Sequence, residues 1–209
     1  MGQFELTPCT VMRNHILTTQ QCRRIIPTTM HGPNNFAFID GANLHYTYEK
    51  SENLGWQIDY SKLMLLLKAK YNVTFAYYFL GNINKNSNVY RELQSDGYYL
   101  KLKTPTIYPT EEEYCPYCLK SIAPELTRYK SDCDSFMTLE TISNMSSYDK
   151  AVVITSDGDF DELIKELVRK DKLRLLFAPC RDGCSGLLVS AAKGRIAFMD
   201  DFKTKLKKT

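Results

Sequence analysis

The sequence predicts an α/β protein built around a mostly parallel sheet, and two observations support this. Short apolar runs alternate along the chain with longer stretches whose apolar residues recur at helical spacing. Two of these runs, 36–40 and 151–155, hold consecutive apolar residues up to a final polar side chain, as in strands buried on both faces. With 209 residues, the chain is long enough for one domain with its own core.

The elements of the first half follow this alternation. The nearly continuous apolar stretch Leu63–Leu67 indicates a packed helix. In chain order, the pattern predicts a strand at 36–40, helical segments at 44–50 and 59–70, a strand at 73–80, a helix at 87–95 and a strand at 98–102.

A loop rich in proline and glutamate, from Thr104 to Pro124, separates the two halves. Beyond it, the apolar residues Leu163, Ile164, Leu167 and Val168 have the spacing of one helix face. The pattern predicts a helix at 134–146, a strand at 151–155, a helix at 160–171, a strand at 173–178, a helix at 185–193 and a last strand at 196–199.

The net charge of +3 is unevenly distributed. Residues 1–35 carry +2, the last seven residues carry +4, and the segment between them carries −3. We expect residues 1–34 to be a flexible extension, with Met30 as an alternative start, and residues 35–202 to form the domain, including a cysteine-containing loop at 104–128. The basic tail 203–209 is interpreted either as a solvated, frayed end or as a grip on phosphates.

Carboxylates stand where apolar runs give way to helices. Asp40 ends the first run, Asp134 begins a helix, and Asp157 and Asp159 follow the run 151–155. Each has an ordinary explanation as a cap or turn residue. The ends of different strands nevertheless converge in a doubly wound sheet, so all four acids could share one pocket. Acids this close need a proton or a cation, and Mg²⁺ or Mn²⁺ prefers carboxylate oxygens.

Three segments resemble the motifs of the NYN domain family, which are PIN-like nucleases and include the bacterial LabA-like branch. They are Phe38-Ile39-Asp40-Gly41-Ala42-Asn43-Leu44, Lys130-Ser131-Asp132-Cys133-Asp134 and Thr155-Ser156-Asp157-Gly158-Asp159-Phe160. The resemblance extends from about Asn35 to Phe202. Ser131-Asp132 stands where the family often has Gly-Asn, and Thr155-Ser156 where Ser-Gly is common.

The resemblance implies a Rossmann-like three-layer α/β/α sandwich and a metal-dependent ribonuclease site. It implies that the catalytic and metal-binding acids are Asp40, Asp134, Asp157 and Asp159. Asn43 would be the polar companion of the first acid, and Thr155 would place a hydroxyl beside the metal or the scissile phosphate.

Other residues are expected to contact the substrate. Tyr46 follows the first motif and could stack an unpaired base, although most tyrosines in such a domain are packing residues. Arg128 and Lys130 lie close to Asp134 in sequence and are predicted phosphate contacts, with solvated surface charge as the alternative.

Seven cysteines, an odd number, favour reduced thiols in a cytoplasmic protein. Cys115 and Cys118 form a CxxC pair, which could be half of a structural Zn²⁺ site. Cys180 and Cys184 could complete that site only if the fold brings their loop alongside. The alternatives are a redox pair and plain loop cysteines.

Together these features predict an endoribonuclease that uses Mg²⁺ or Mn²⁺ and acts on RNA, preferably single-stranded, as a monomer or homodimer. Two other functions stay open at this point. The chain could be a non-catalytic RNA-binding module, or a metal-dependent phosphohydrolase of small phosphate esters. No apolar run is long enough for a membrane span.

Overall fold

The computed structural model describes residues 32–50, 55–82, 87–109, 113–114, 117–118, 121–123, 127–131 and 133–209. Most of the predicted N-terminal extension, with Met30, lies outside these residues, as do Cys115 and Asp132. The flexible extension therefore stays a prediction.

Ten strands and seven α-helices lie in the described part of the chain. The strands are β1 (Asn35–Asp40), β2 (Val73–Gly81), β3 (Tyr99–Lys103), β4 (Thr106–Pro109), β5 (Glu113–Tyr114), β6 (Ser121–Ala123), β7 (Thr127–Lys130), β8 (Ala151–Ile154), β9 (Leu173–Ala178) and β10 (Ile196–Phe198). The helices are α1 (Gly41–His45), α2 (Tyr60–Tyr71), α3 (Ser87–Ser95), α4 (Asp134–Ser143), α5 (Asp161–Arg169), α6 (Gly186–Ala191) and α7 (Lys203–Leu206).

The central sheet has six strands in the order β10-β9-β8-β1-β2-β3, and all neighbouring pairs are parallel. The two central strands, β1 and β8, carry the apolar runs from which buried strands were predicted. The predicted α/β fold with a parallel sheet is confirmed.

Successive side chains of β1 point to opposite faces of the sheet and build two separate core layers. Ala37 and Ile39 pack into the layer that contains the buried residues of α2, Leu93 of α3 and Leu206 of α7. Phe36 and Phe38 pack into the layer formed with α4, α5 and α6. Helices on both faces make the predicted three-layer arrangement, and they leave the ends of the strands open.

The helix bounds differ from the sequence pattern where local hydrogen bonds intervene. The helix predicted at 134–146 ends at Ser143, and the Asn144 side chain donates to the Glu140 carbonyl oxygen over 2.8 Å. The segment predicted to be helical at 44–50 is split into α1 and a π-helical turn at Tyr46–Lys50. The predicted helix at 160–171 is preceded by a 3₁₀ turn at Gly158–Phe160.

The stretch predicted as a loop between β3 and α4 contains short antiparallel pairs. β4 pairs with β7, and β5 pairs with β6. The sequence pattern missed them because two-to-four-residue strands are too short for periodicity to register.

The basic segment 203–208 packs against the domain, so the interpretation as a frayed end is wrong. Leu206 is fully buried, and such burial stabilises by about 1.5–3 kcal/mol. Lys207 forms a β-bridge with Ile58, and the Lys208 backbone N–H donates to the Gln57 carbonyl oxygen over 2.9 Å.

None of the helices in the described part of the chain combines the length and apolar character that a membrane span requires.

Candidate active site

The order in which the chain adds strands to the sheet reverses between β1 and β8. From β1 the chain adds β2 and β3 on one side, whereas from β8 it adds β9 and β10 on the other. Ligand sites of open α/β sheets lie at the carboxyl ends of the strands flanking such a switch point. Asp40 ends β1 and Thr155 follows β8 at this edge.

The Asp40 carboxylate links the ends of β1 and β8 through hydrogen bonds. Its Oδ1 accepts from the Asn43 backbone N–H over 3.0 Å and so caps α1. Its Oδ2 accepts from the Thr155 hydroxyl over 3.1 Å, across 115 residues of sequence. Aspartate therefore has its ordinary capping role here and also forms part of the wall of the site.

Burial raises the pKa of Asp40 above its ordinary value of 3.8. The hydrogen bonds from Asn43 and Thr155 act in the opposite direction, and the nearby charge of Asp157 raises the pKa further. Asp40 is only 5% exposed, so its negative charge is poorly solvated. A cation placed in the cleft would favour its ionised form.

Gly41 allows α1 to begin directly against β2. A Cβ at this position would lie 2.5 Å from the Phe79 carbonyl oxygen and 2.7 Å from the Leu80 side chain. The absence of a side chain, and not a special backbone angle, is what the site requires here.

Ser156 orients the amide of Asn43 and was missed as a functional residue in the sequence. The Asn43 Oδ1 accepts from the Ser156 backbone N–H over 3.0 Å and from its hydroxyl over 2.9 Å. Because both donors approach the oxygen, the amide NH₂ group is left for the cleft that Asn43 lines. The sequence signal that could have found it is that Ser156 stands where the NYN domain family commonly has glycine.

The remaining acids converge from two separate parts of the chain. Asp134 is the first residue of α4, and the Asp157 Oδ1 caps the following turn by accepting from the Asp159 N–H over 3.1 Å. One carboxylate oxygen from each of Asp134, Asp157 and Asp159 lies within 4.8 Å of the other two.

This donor set fits a hard divalent cation. An octahedral ion with ligands at about 2.1 Å places opposite oxygens about 4.2 Å apart. The three oxygens, all within 4.8 Å of one another, could therefore bind one ion after a side-chain adjustment, which the exposed Asp159 permits. All the donors are oxygens, as Mg²⁺ and Mn²⁺ prefer.

The acids line an open cleft of about 400 Å³. Its lining residues are Asp40, Ala42, Asn43, Tyr46, Ser131, Asp134, Asp157 and Asp159. Tyr46 is 66% exposed and so is available for contact with a ligand. The Ser131 hydroxyl is buried and has no hydrogen-bond partner in the described part of the chain.

The structure leaves several other predicted site residues untested. Arg128 and Lys130 lie on β7, which leads to Ser131, but their side chains are outside what the structure describes. Cys118, Cys180 and Cys184 are free thiols, and the described residues contain no group of three metal-ligating side chains that includes them. With Cys115 outside the described residues, the zinc site stays a prediction.

The family model of the NYN domain matches residues 36–199. No curated protein is significantly similar to this chain. A crystal structure of a protein of unknown function from Vibrio parahaemolyticus is similar in fold, with a TM-score of 0.62 and 20% sequence identity. The match covers 86% of this chain and 99% of that one, and at this identity it bears on the fold alone.

Proposed function

This chain belongs to the NYN domain family, within the PIN-like nuclease superfamily, and from that premise we propose that it is a divalent-metal-dependent endoribonuclease. The observation that carries the proposal is the convergence of Asp134 with Asp157 and Asp159 beside the buried Asp40. Carboxylates gathered in an open cleft at a switch point suit a cation-dependent reaction on a phosphodiester.

We assign the cation to Asp134, Asp157 and Asp159. Asp40, the fourth acid predicted to bind it, is not part of that group and is assigned to the wall of the cleft. When bound, Mg²⁺ or Mn²⁺ supplies positive charge that stabilises phosphoryl oxygens and favours ionisation of an attacking water. Thr155 keeps the Asp40 carboxylate in place through its 3.1 Å hydrogen bond.

The Asn43 amide would donate to a phosphate oxygen, because Ser156 holds its carbonyl side away from the cleft. Tyr46 would stack an unpaired base of single-stranded RNA next to the scissile phosphate. Arg128 and Lys130 stay predicted phosphate contacts. The cytoplasmic location, the LabA-like branch and the state as monomer or homodimer also stay predictions.

The proposal is tested by incubating an end-labelled, unstructured RNA with wild type and Asp157→Asn in Mn²⁺, in Mg²⁺ and in EDTA. Asparagine caps as well as aspartate, so the turn at Asp157 should be preserved. Asp182→Asn is the matched control, because it makes the same charge change at an exposed position outside the cleft.

We expect cleavage by wild type and Asp182→Asn with a divalent ion, and at least about 100-fold less with Asp157→Asn or EDTA. Equal cleavage in all samples would indicate a contaminant or a different mechanism. RNA binding without any cleavage in Mn²⁺ would favour the non-catalytic module. Hydrolysis of a generic phosphomonoester, with RNA left intact, would favour the phosphohydrolase.

A further inference from the structure

The basic segment 203–208 carries four exposed charges on a backbone that packs against the domain. Lys203, Lys205, Lys207 and Lys208 are all exposed, while Leu206 between them is fully buried. None of the four forms an ion pair within the part of the chain that the structure describes.

Two lysines of α2 lie beside this segment. The Lys62 ammonium donates to the Lys207 carbonyl oxygen over 2.8 Å, and the Lys70 ammonium lies 4.2 Å from the centre of the Phe202 ring. These two lysines are eight residues apart and so lie on one side of α2. Together with the four lysines of segment 203–208 they form what we term the lysine face.

The acids around the lysine face do not neutralise it. Asp59 pairs with Lys62 at 3.6 Å, and Glu92 and Asp96 line a cavity together with Lys208. Asp200 and Asp201 precede the segment and both contact Arg181, so six lysines and one arginine against five acids leave a net charge of +2.

Part of the lysine face lies at the same edge of the sheet as the acidic cleft. Since α2 connects the end of β1 to the start of the parallel strand β2, its N-terminus lies at the edge where Asp40 stands. Ile58 lies two residues before that N-terminus and pairs with Lys207.

The cleft by itself is poorly suited to hold a polyanion. Its acids are Asp40, Asp134, Asp157 and Asp159, and residues 36–202 as a whole carry −3. One or two cations can compensate at the scissile phosphate, but neighbouring phosphates need positive charge elsewhere.

We propose that the lysine face binds the phosphate backbone of a single-stranded RNA whose scissile phosphate lies in the acidic cleft. The proposal deepens the proposed ribonuclease function and rests on it. The exposed Tyr46 in the cleft favours a single strand, because only unpaired bases can stack on it.

The test measures how salt weakens the binding of a fluorescent single-stranded RNA in Mg²⁺, in the Asp157→Asn background, whose cleavage is expected to be at least about 100-fold lower. The double variant Lys207→Gln/Lys208→Gln is compared with Lys170→Gln/Lys193→Gln. The control lysines are exposed and precede strands β9 and β10, so they lie at the opposite edge of the sheet. Thermal unfolding checks that all variants are folded.

Each lysine that contacts a phosphate contributes about 0.7 to the slope of log affinity against log salt. We expect the slope of Lys207→Gln/Lys208→Gln to be smaller by about 1.4, and that of the control to be unchanged. Between 50 and 200 mM salt, the parent protein should therefore lose about sevenfold more affinity than this variant.

An unchanged slope for Lys207→Gln/Lys208→Gln, or an equal change for the control, would overturn the proposal that the lysine face binds RNA. So would binding to phosphatidylserine vesicles in the absence of RNA binding, which would point to a membrane surface. If the lysine-dependent slope is found but wild type does not cleave RNA in Mn²⁺, the nuclease proposal fails, while RNA binding by the lysine face stands.

Discussion

Gly41→Ala should destabilise the protein, because the site depends on close contact between α1 and β2. The added Cβ would lie 2.5 Å from the Phe79 carbonyl oxygen and would also overlap the Tyr78 ring. The Phe79 oxygen cannot easily retreat, since Phe79 pairs with Asp40 in the β1–β2 ladder. The start of α1 must therefore move, and Asn43 moves with it.

The magnitude follows from overpacking against backbone. Inserting a methyl group into a packed core costs about 1–3 kcal/mol, and a clash with a ladder carbonyl belongs at the upper end. At about 3 kcal/mol, a domain of this size loses about 6–12 °C in Tm. The rate of RNA cleavage should fall by more than the loss of folded protein explains, because Asn43 and Asp40 lie on either side of the displaced residue.

Gly186→Ala is the matched control, since a Cβ there meets no atom within 4 Å and α6 begins at this residue. Its Tm should stay level or rise slightly, because alanine favours helix over glycine by up to about 1 kcal/mol. The assay is thermal unfolding followed by circular dichroism. A Gly41→Ala Tm within about 2 °C of wild type would refute the close-contact argument.

Three further predictions concern the cleft itself. Without divalent ions, the raised pKa of Asp40 means that the folded state holds its proton more tightly than the unfolded chain. Wild type should therefore lose stability relative to Asp40→Asn as pH rises above 3.8 through the folded-state pKa. If the difference in Tm between these two proteins does not change between pH 4 and 7, this prediction is wrong. Ser156→Ala removes the hydroxyl that donates to the Asn43 amide oxygen. One hydrogen bond is worth about 1 kcal/mol, so the rate of RNA cleavage should fall by about 5- to 10-fold. A wild-type rate with an unaltered Tm would count against a positioning role for Ser156. Tyr46→Ala should weaken RNA binding by about 5- to 150-fold without changing the Tm, whereas Tyr46→Phe should bind normally; equal binding by both variants would remove the stacking role.

The local spacing of apolar residues was sufficient to predict the helices and strands whose periodicity is strong. Strand β9 was predicted with its observed bounds. Of the four residues predicted for the buried face of α5, Leu163, Ile164 and Leu167 are buried and Val168 is half-buried. The pairs β4–β7 and β5–β6 were not predicted, because pairing across 7 to 24 residues depends on the partner strand. The packing of segment 203–208 was missed for a similar reason: a lone Leu206 among lysines carries no periodic signal.

The sequence by itself determined that aspartates end apolar runs and precede helices, since these are short-range features of the chain. It also carried the three motifs of the NYN domain family. Only the tertiary structure decided that Asp134 meets Asp157 and Asp159, that Ser156 orients Asn43, and that Asp40 is buried beside Thr155. These distances depend on strand order and on which helix covers which face, because residues 115 positions apart come within 3.1 Å only when β1 and β8 pair.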